Sequence, residues 1–393
     1  MVKFRIGIVC FLIFLLFDCY NATVSKSKNE KKSAKKSSQR SNSRLNNKLT
    51  SVNVDFQSIL DEYKSYSFTA SLVRHFEYDV LGYVTPWNNH GYNIAKLYAA
   101  KFSMVSPVWL QIKPKNEKGG FMFQGLQDID RDWVASVKLL NPYVRFVPRI
   151  ILEHWTYPTL KKFLTEKIAD LTTELVLLSK DNQFDGYVFE IWGLLGGKMK
   201  AELTQFIITM SKELRKHNLI LILVIPPPTH FGEEGTMFHR QDFDKLSKHV
   251  TAFSLMTYDF SNPERPGPNS PVPWLRHCVE ALVPESYSTD RQKLLLGLNF
   301  YGYVYWKFGG KPIVGHEYLS ILKQHKPKFE FDDFNGEHSF TYRTEENGFE
   351  KEYEVYYPTL YSIKLRIELA RELRTGIAIW ETGQGLNYFY DLL

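Results

Sequence analysis

Past residue 75 the chain alternates short apolar runs with longer stretches whose apolar residues recur at helical spacing. The apolar runs Val80–Thr85, Met104–Gln111, Tyr143–Arg149, Gly186–Ile191, Ile220–Ile225, Ala252–Thr257, Lys293–Leu298 and Gly376–Trp380 predict strands. Their Val, Ile, Leu and Phe content suits parallel strands buried on both faces. The stretches Thr159–Leu178, Lys198–Lys216, Asp242–His249 and Tyr361–Leu373 predict helices, the first starting just after Pro158. Repeated strand-then-helix order implies an α/β fold with a parallel sheet. Eight such units over roughly 300 residues fit a closed (β/α)8 TIM barrel better than an open doubly wound sheet. No Gly-x-Gly-x-x-Gly follows the first strand, which removes the usual mark of a dinucleotide fold. One interval breaks the rhythm. Between strands seven and eight, Val304 to Tyr357 is long and rich in aromatics and charge. Its runs Phe329–Phe331, Ser339–Arg343 and Glu352–Tyr356 predict short antiparallel strands in a small α+β insertion, spanning about 304–357.

Residues 1–22 stand apart. Lys3 and Arg5 precede the apolar run Ile6 to Phe17, and small or polar residues follow, which is a secretory signal pattern. The net charge of +6 does not describe the folded part. Residues 1–50 hold 11 Lys+Arg against 2 Asp+Glu, and the remainder 38 against 41, so the first balance is +9 and the second −3. The basic character therefore belongs to the Lys/Ser-rich stretch from Thr23 to about Leu49, expected to be disordered, with a lead-in to residue 74. A domain spanning 75–393 with no basic excess argues against nucleic acid as a partner. If the first 22 residues are removed, Cys278 remains the sole cysteine and no intrachain disulfide can form.

In barrels of this kind, sites gather at the C-terminal strand ends. Those ends read Tyr83 to Trp87, Trp109, His154-Trp155, Glu190 to Trp192, Met256 to Asp259, Asn299 to Tyr301, and Trp380-Glu381. Seven of eight ends thus carry Trp or Tyr, most of them among carboxylates and amides. Flat rings stack on the C–H faces of sugars, and acids and amides bond hydroxyls, so the mixture predicts a carbohydrate cleft. Glu190 is the most informative single residue, because an acid in a buried strand is costly unless paired or used. Strand alternation puts Val188, Glu190 and Trp192 on one face. No His-x-x-x-His or Cys/His cluster predicts a metal, no Gly-x-Ser-x-Gly elbow is present, and no cofactor is expected.

These strand ends resemble glycoside hydrolase family 18, the chitinase-like barrels. The family's fourth-strand pattern Asp-x-x-Asp-x-Asp-x-Glu falls on Asp185, Val188, Glu190 and Trp192. Its Met-x-Tyr-Asp matches Met256, Tyr258 and Asp259; its seventh-strand Tyr matches Tyr301; its eighth-strand Trp matches Trp380; and its first-strand aromatics match Tyr83 and Trp87. The third-strand Ser-x-Gly-Gly is missing. The strand ends predict saccharide contacts at Trp109, Asn299 and Glu381, and the resemblance implies further ones at Tyr83, Trp87, Glu190, Trp192, Met256, Tyr258, Asp259, Tyr301 and Trp380. It also implies binding of N-acetylglucosamine oligosaccharides and other glycans, lipopolysaccharide among them, contact with an endocytic scavenger receptor, and a secreted or lysosomal destination.

Family chemistry is substrate-assisted: a protonated Glu donates to the glycosidic oxygen while the sugar's 2-acetamido oxygen attacks the anomeric carbon. Here Trp192 stands at the acid position, and its ring N–H is no proton source near neutral pH. Glu190 lies two residues earlier, ~6–7 Å deeper along the strand. The expectation is a sugar-binding barrel without hydrolysis. Two alternatives stay open: a glycosidase whose acid has moved to a loop carboxylate such as Glu381 or Asp259, and a receptor-binding protein with a vestigial sugar site.

Overall fold

The computed structural model describes residues 48–115, 120–194, 198–230, 233–234, 237–346 and 348–393. The expected signal segment and all but the last two residues of the basic stretch 23–49 lie outside them. The described residues form one compact unit. Its lead-in folds as two short helices, Phe56–Glu62 and Phe68–Ser71, started by the side chains of Asp55 and Ser67. Leu49, Val54 and Ile59 are buried in the main apolar core.

The centre is a curled eleven-stranded sheet. Val80–Val84 pairs in parallel with Met104–Pro107 on one side and with Gly376–Trp380 on the other. From there the parallel ladder runs through Leu294–Asn299, Ala252–Leu255, Ile220–Ile225, Gly186–Glu190 and Arg149–Leu152 to Leu110–Pro114. Phe121–Gln124 adds an antiparallel edge. Two expected strands are each broken in two. The second appears as Met104–Pro107 and Leu110–Pro114, and the third as Arg145–Phe146 and Arg149–Leu152. Pro107 and Pro148 stand at these breaks, and neither can donate to a ladder. The third strand also runs later than its apolar pattern predicted, which puts Arg149 at the start of its second piece. The stretch Thr159–Leu178 forms two helices, Tyr157–Glu166 and Ile168–Asn182, separated at Lys167, whose backbone is not helical.

Alternation sorts the strand residues into two apolar layers. Leu81, Tyr83, Val188, Ile222, Val224, Leu295 and Ala378 fill the inside of the curl. Phe189, Leu223, Phe253, Leu296 and Ile377 face the helices and belong to the larger core. Gly186 begins its strand at φ 152, and a Cβ there would sit 2.1 Å from the Ile220 carbonyl oxygen. Only glycine allows that approach.

Between the last two barrel strands lies a five-stranded antiparallel sheet. Its spatial order is Gly309–Ile313, Gly302–Trp306, Phe349–Tyr356, Glu337–Glu346, Glu330–Asp332. Val304, Phe340 and Val355 bury one face, joining Tyr318 and Leu322 of the helix Gly315–His325 in the core. Residues of opposite parity, Tyr303, Tyr305, Glu352 and Glu354, make the other face.

Candidate functional site

The C-terminal strand ends bring together part of the predicted set. Tyr83 and Trp380 pack with ring centroids 5.1 Å apart, and the Tyr83 hydroxyl donates to Ser254 Oγ at 2.8 Å. Across from them, Arg149 Nε donates to Glu190 Oε2 at 2.6 Å. The guanidinium carbon also lies 5.6 Å from the centre of the Trp380 ring, within cation–π range. Arg149 faces Val188 in the ladder, so a cation paired with one acid sits beside an apolar side chain. Tyr258 lies close enough to feel both charges, and burial pushes its phenol well above the ordinary range.

A second group forms the rim. Asp259 occupies the left-handed region at φ 59, and its carboxylate accepts from the hydroxyls of Tyr301 and Tyr303. The residue is open to solvent, yet desolvation of its carboxylate raises its pKa. Burial first, then the Asp259 charge, pushes Tyr303 up to about 12. Tyr258 meets Tyr301 edge-on at 6.3 Å, and Met256 packs on the inner apolar layer. The backbone of Asp259 is held in turn, its N–H donating to Asn269 Oδ1 at 2.6 Å. The Asn269 and Ser270 N–H groups donate to the Glu337 carboxylate at 3.1 and 2.7 Å. Arg366 Nη2 reaches the same carboxylate at 2.8 Å. A buried ion pair between the insertion and the last helix, Leu360–Leu373, therefore fixes the loop that carries Asp259.

Several predicted contacts land elsewhere. Trp109 is fully buried beside Trp133 and Phe184, its indole donating to the Tyr92 hydroxyl at 2.7 Å. It sits at the break in the second strand, where alternation turns it toward the helices. Trp192 is also fully buried: it packs edge-on against Phe238 and donates to the Met237 carbonyl at 2.6 Å. Its strand ends at Glu190, so alternation stops before it and the shared face with Glu190 is lost. Asn299 is buried and ties back to the Tyr301 carbonyl. Glu381 is sealed below the rim, accepting from Asn88 Nδ2 at 2.7 Å and Gly383 N at 2.9 Å; burial raises its pKa to about 7. Trp87 stands 70 % exposed on the first loop. Asp185 lies at the opposite end of its strand, bound to Lys138 and the Phe146 N–H, and takes no part. The sequence reading missed Arg149, whose only signal was a cation within a run of apolar strand residues. Cys278 is a buried thiol pushed up to about 12. Among the described residues no cluster of His, Cys, Asp or Glu could hold a metal ion.

A family model, Glycosyl hydrolases family 18, matches residues 79–385. The chain belongs to glycosyl hydrolase family 18. Solved structures share the fold at low identity. A chitinase from Chromobacterium violaceum is 18% identical with TM-score 0.67, over 80% of this chain and 97% of that one. The spore cortex-lytic enzyme SleL of Bacillus megaterium is 20% identical with TM-score 0.65, over 80% and 72%. A Cycas revoluta family 18 chitinase in complex with (GlcNAc)3 is 12% identical with TM-score 0.61, over 79% and 97%. Val188 packs in the inner apolar layer and Trp192 in the outer one. Glu190 is engaged by Arg149.

Proposed function

We propose that the barrel mouth binds oligosaccharides of N-acetylglucosamine, or related glycans, and does not hydrolyse them. The observation that carries this reading is the 2.6 Å Arg149–Glu190 pair at the floor beside Val188. A general acid must carry a proton within ~3 Å of the leaving oxygen. Glu190 is instead the acceptor of a charge-assisted bond, and Trp192 offers neither an acid nor access. What remains at the mouth is suited to holding a sugar: the faces of Trp380 and Tyr83, the hydroxyl of Tyr258, and Asp259 with its two tyrosines. The bound (GlcNAc)3 and (GlcNAc)4 of the Cycas chitinases support this ligand class. The test is calorimetric titration with N-acetylglucosamine oligomers beside a fluorogenic chitooligosaccharide assay. Binding without turnover is expected. Flat heats up to millimolar sugar would refute the binding role and favour a receptor-binding protein with a vestigial site.

One observation favours a second reading. The raised pKa of Asp259, at the rim, is the property a relocated acid would need. Turnover that survives purification and vanishes in Asp259→Asn would establish it over the first.

Phe184–Trp192, Val224–Pro227, Phe253–Asp259, Gly267–Asn269, Leu296–Gly302 and Ile379–Leu386 are similar to chitinase domain-containing protein 1. That similarity, with the apolar segment Ile6–Phe17, supports a secretory route to the cell exterior or lysosome, lipopolysaccharide as a further ligand, and an endocytic scavenger receptor as partner. Localisation of the tagged full-length chain, and pull-down with receptor ectodomain or lipopolysaccharide, test these points.

A further inference from the structure

A concavity of about 290 Å³ lies at the other end of the barrel from the mouth, among the N-terminal ends of the first three strands. Phe102 and Met104, both buried, form part of its lining, and Arg74, Asp79, Tyr143 and Arg145 line it from exposed positions. The backbone under these four is pinned. His75, next to Arg74, donates its N–H to the Leu393 carbonyl at 3.0 Å, and the Arg145 N–H donates to the Ser103 carbonyl at 3.0 Å. The Asp79 carbonyl accepts from the Ile377 N–H at 2.9 Å, which holds it at the start of Val80–Val84. Tyr143 rides on a turn fixed by Asn141, whose Nδ2 donates to the Ala99 and Phe102 carbonyls at 2.8 and 3.1 Å. Asn141 Oδ1 accepts from the Tyr143 N–H at 3.0 Å. A lining whose backbone is set in advance lowers the ordering cost of binding.

The charges of this lining are unspent. Neither the Arg74 nor the Arg145 guanidinium bonds a partner among the described residues, and the Asp79 carboxylate has none either. Elsewhere in the domain arginines close on acids, as Arg240 does on Glu285, Arg276 on Glu372 and Arg371 on Glu77. Acids outnumber bases past residue 50, 41 to 38, so a shortage of acids does not explain the two free guanidiniums. Two guanidiniums and one carboxylate give the lining a formal charge of +1, the complement of a single carboxylate. Guanidinium N–H groups bond carboxylates in a forked geometry. The Asp79 carboxylate, an acceptor only, suits a hydroxyl or ammonium on the same ligand. The rings of Phe102 and of Tyr143, which is 90 % exposed, suit its carbon body. The volume is at the small end of the ~300–1,000 Å³ of ligand sites, which fits one small molecule rather than a chain.

We infer that this concavity binds a small organic carboxylate that also carries a hydroxyl or ammonium donor, its acid held by Arg74 and Arg145 and its donor by Asp79. The inference stands apart from the sugar-binding reading of the mouth. Two sources share this chemistry, an amino acid and an acidic sugar. The full chain is titrated by calorimetry at pH 7 with L-phenylalanine and with D-glucuronate. Propionate, which has only the acid, and D-glucose, which has only the hydroxyls, are titrated beside them. At least one of the first two is expected to bind with a Kd of about 1 mM or below, and the tighter of them names the source. Propionate and glucose should bind at least roughly tenfold more weakly than that ligand, since each leaves one side of the lining unpaired. Arg74→Gln and Arg145→Gln should each weaken its binding roughly tenfold. Both side chains are exposed, so the melting temperature of each variant should stay at the wild-type value. An acid that bound at the mouth instead would be indifferent to both changes. No binding by either acid, equal binding by propionate or glucose, or unchanged affinity in either variant overturns the inference.

Discussion

Glu337→Gln is expected to be the costliest single-atom change around the site. The carboxylate accepts the Asn269 and Ser270 N–H groups and the Arg366 guanidinium, and its side chain is largely shielded from water. Glutamine keeps one acceptor oxygen and turns an NH2 group toward a donor. The larger loss is electrostatic: Arg366, itself buried, is left without its counter-charge. Its bonds to the carbonyls of Ser270, Gly336 and Ser362 solvate the cation but do not neutralise it. Breaking a buried pair from one side typically costs ~3–5 kcal/mol. At ~2 °C per kcal/mol for a large chain, the melting midpoint should fall by ~6–10 °C. Urea unfolding at pH 7, with the midpoint and slope fitted together, measures it. Replacing both partners, as Glu337→Met with Arg366→Met, should recover most of the loss, because the cost is the stranded charge rather than a missing bond. A single-variant loss below ~1 kcal/mol would refute the reasoning, since that is the range of an exposed pair. So would a double variant no more stable than the single one.

Trp380→Ala should weaken sugar binding by ~1–3 kcal/mol in calorimetry, as expected for a stacked aromatic anchor. Trp192→Glu, which puts a carboxylate at the position the proposed function reads as the lost acid, should yield no turnover in the fluorogenic assay. It should also lower stability by ~3–5 kcal/mol in urea unfolding, because it puts a carboxylate where a packed indole was. Glu381 has its folded pKa raised from 4.5 to about 7, so the native state holds the proton more tightly than the unfolded one. Its contribution to stability is then fully present below pH ~4.5 and is lost as pH rises toward 7. Glu381→Gln mimics the protonated form, so its melting temperature relative to wild type should increase between pH 5 and pH 7.5. A difference independent of pH would show that Glu381 is not buried with a raised pKa.

Most of the strand and helix order could be read from local periodicity, because each apolar run is set by which faces its own residues bury. The edges could be read only in part. Ile220–Ile225 and Gly376–Trp380 fall where the apolar runs begin and end. Gly186–Glu190 stops one residue early, and that single residue moves Trp192 from the mouth to the outer layer. Strand alternation is informative only up to the last ladder bond, and tertiary packing decides where that bond lies. Tyr83, Tyr258, Tyr301 and Trp380 were legible because the family pattern fixes their strands. Arg149 was not, because its partner lies 41 residues away in the chain and only the ladder brings the two together. The fate of Glu381 turned on the Asn88 side chain, which comes from the opposite end of the chain.

The first and last barrel strands are neighbours, and the lead-in before them is stitched to the final turn. Ser67 N–H bonds Asp391, His75 N–H bonds the Leu393 carbonyl, and Asn387 N–H bonds the Tyr63 carbonyl. The first of these joins residues 324 apart. During synthesis at ~5–20 residues per second, residues 63–84 wait on the order of 15–60 s for the segments that cover them. Through that interval the apolar edge of Val80–Val84 that later meets Gly376–Trp380 is exposed on the nascent chain. A chaperone that holds extended apolar segments would therefore find its longest-lived target at the beginning of this barrel rather than at its end.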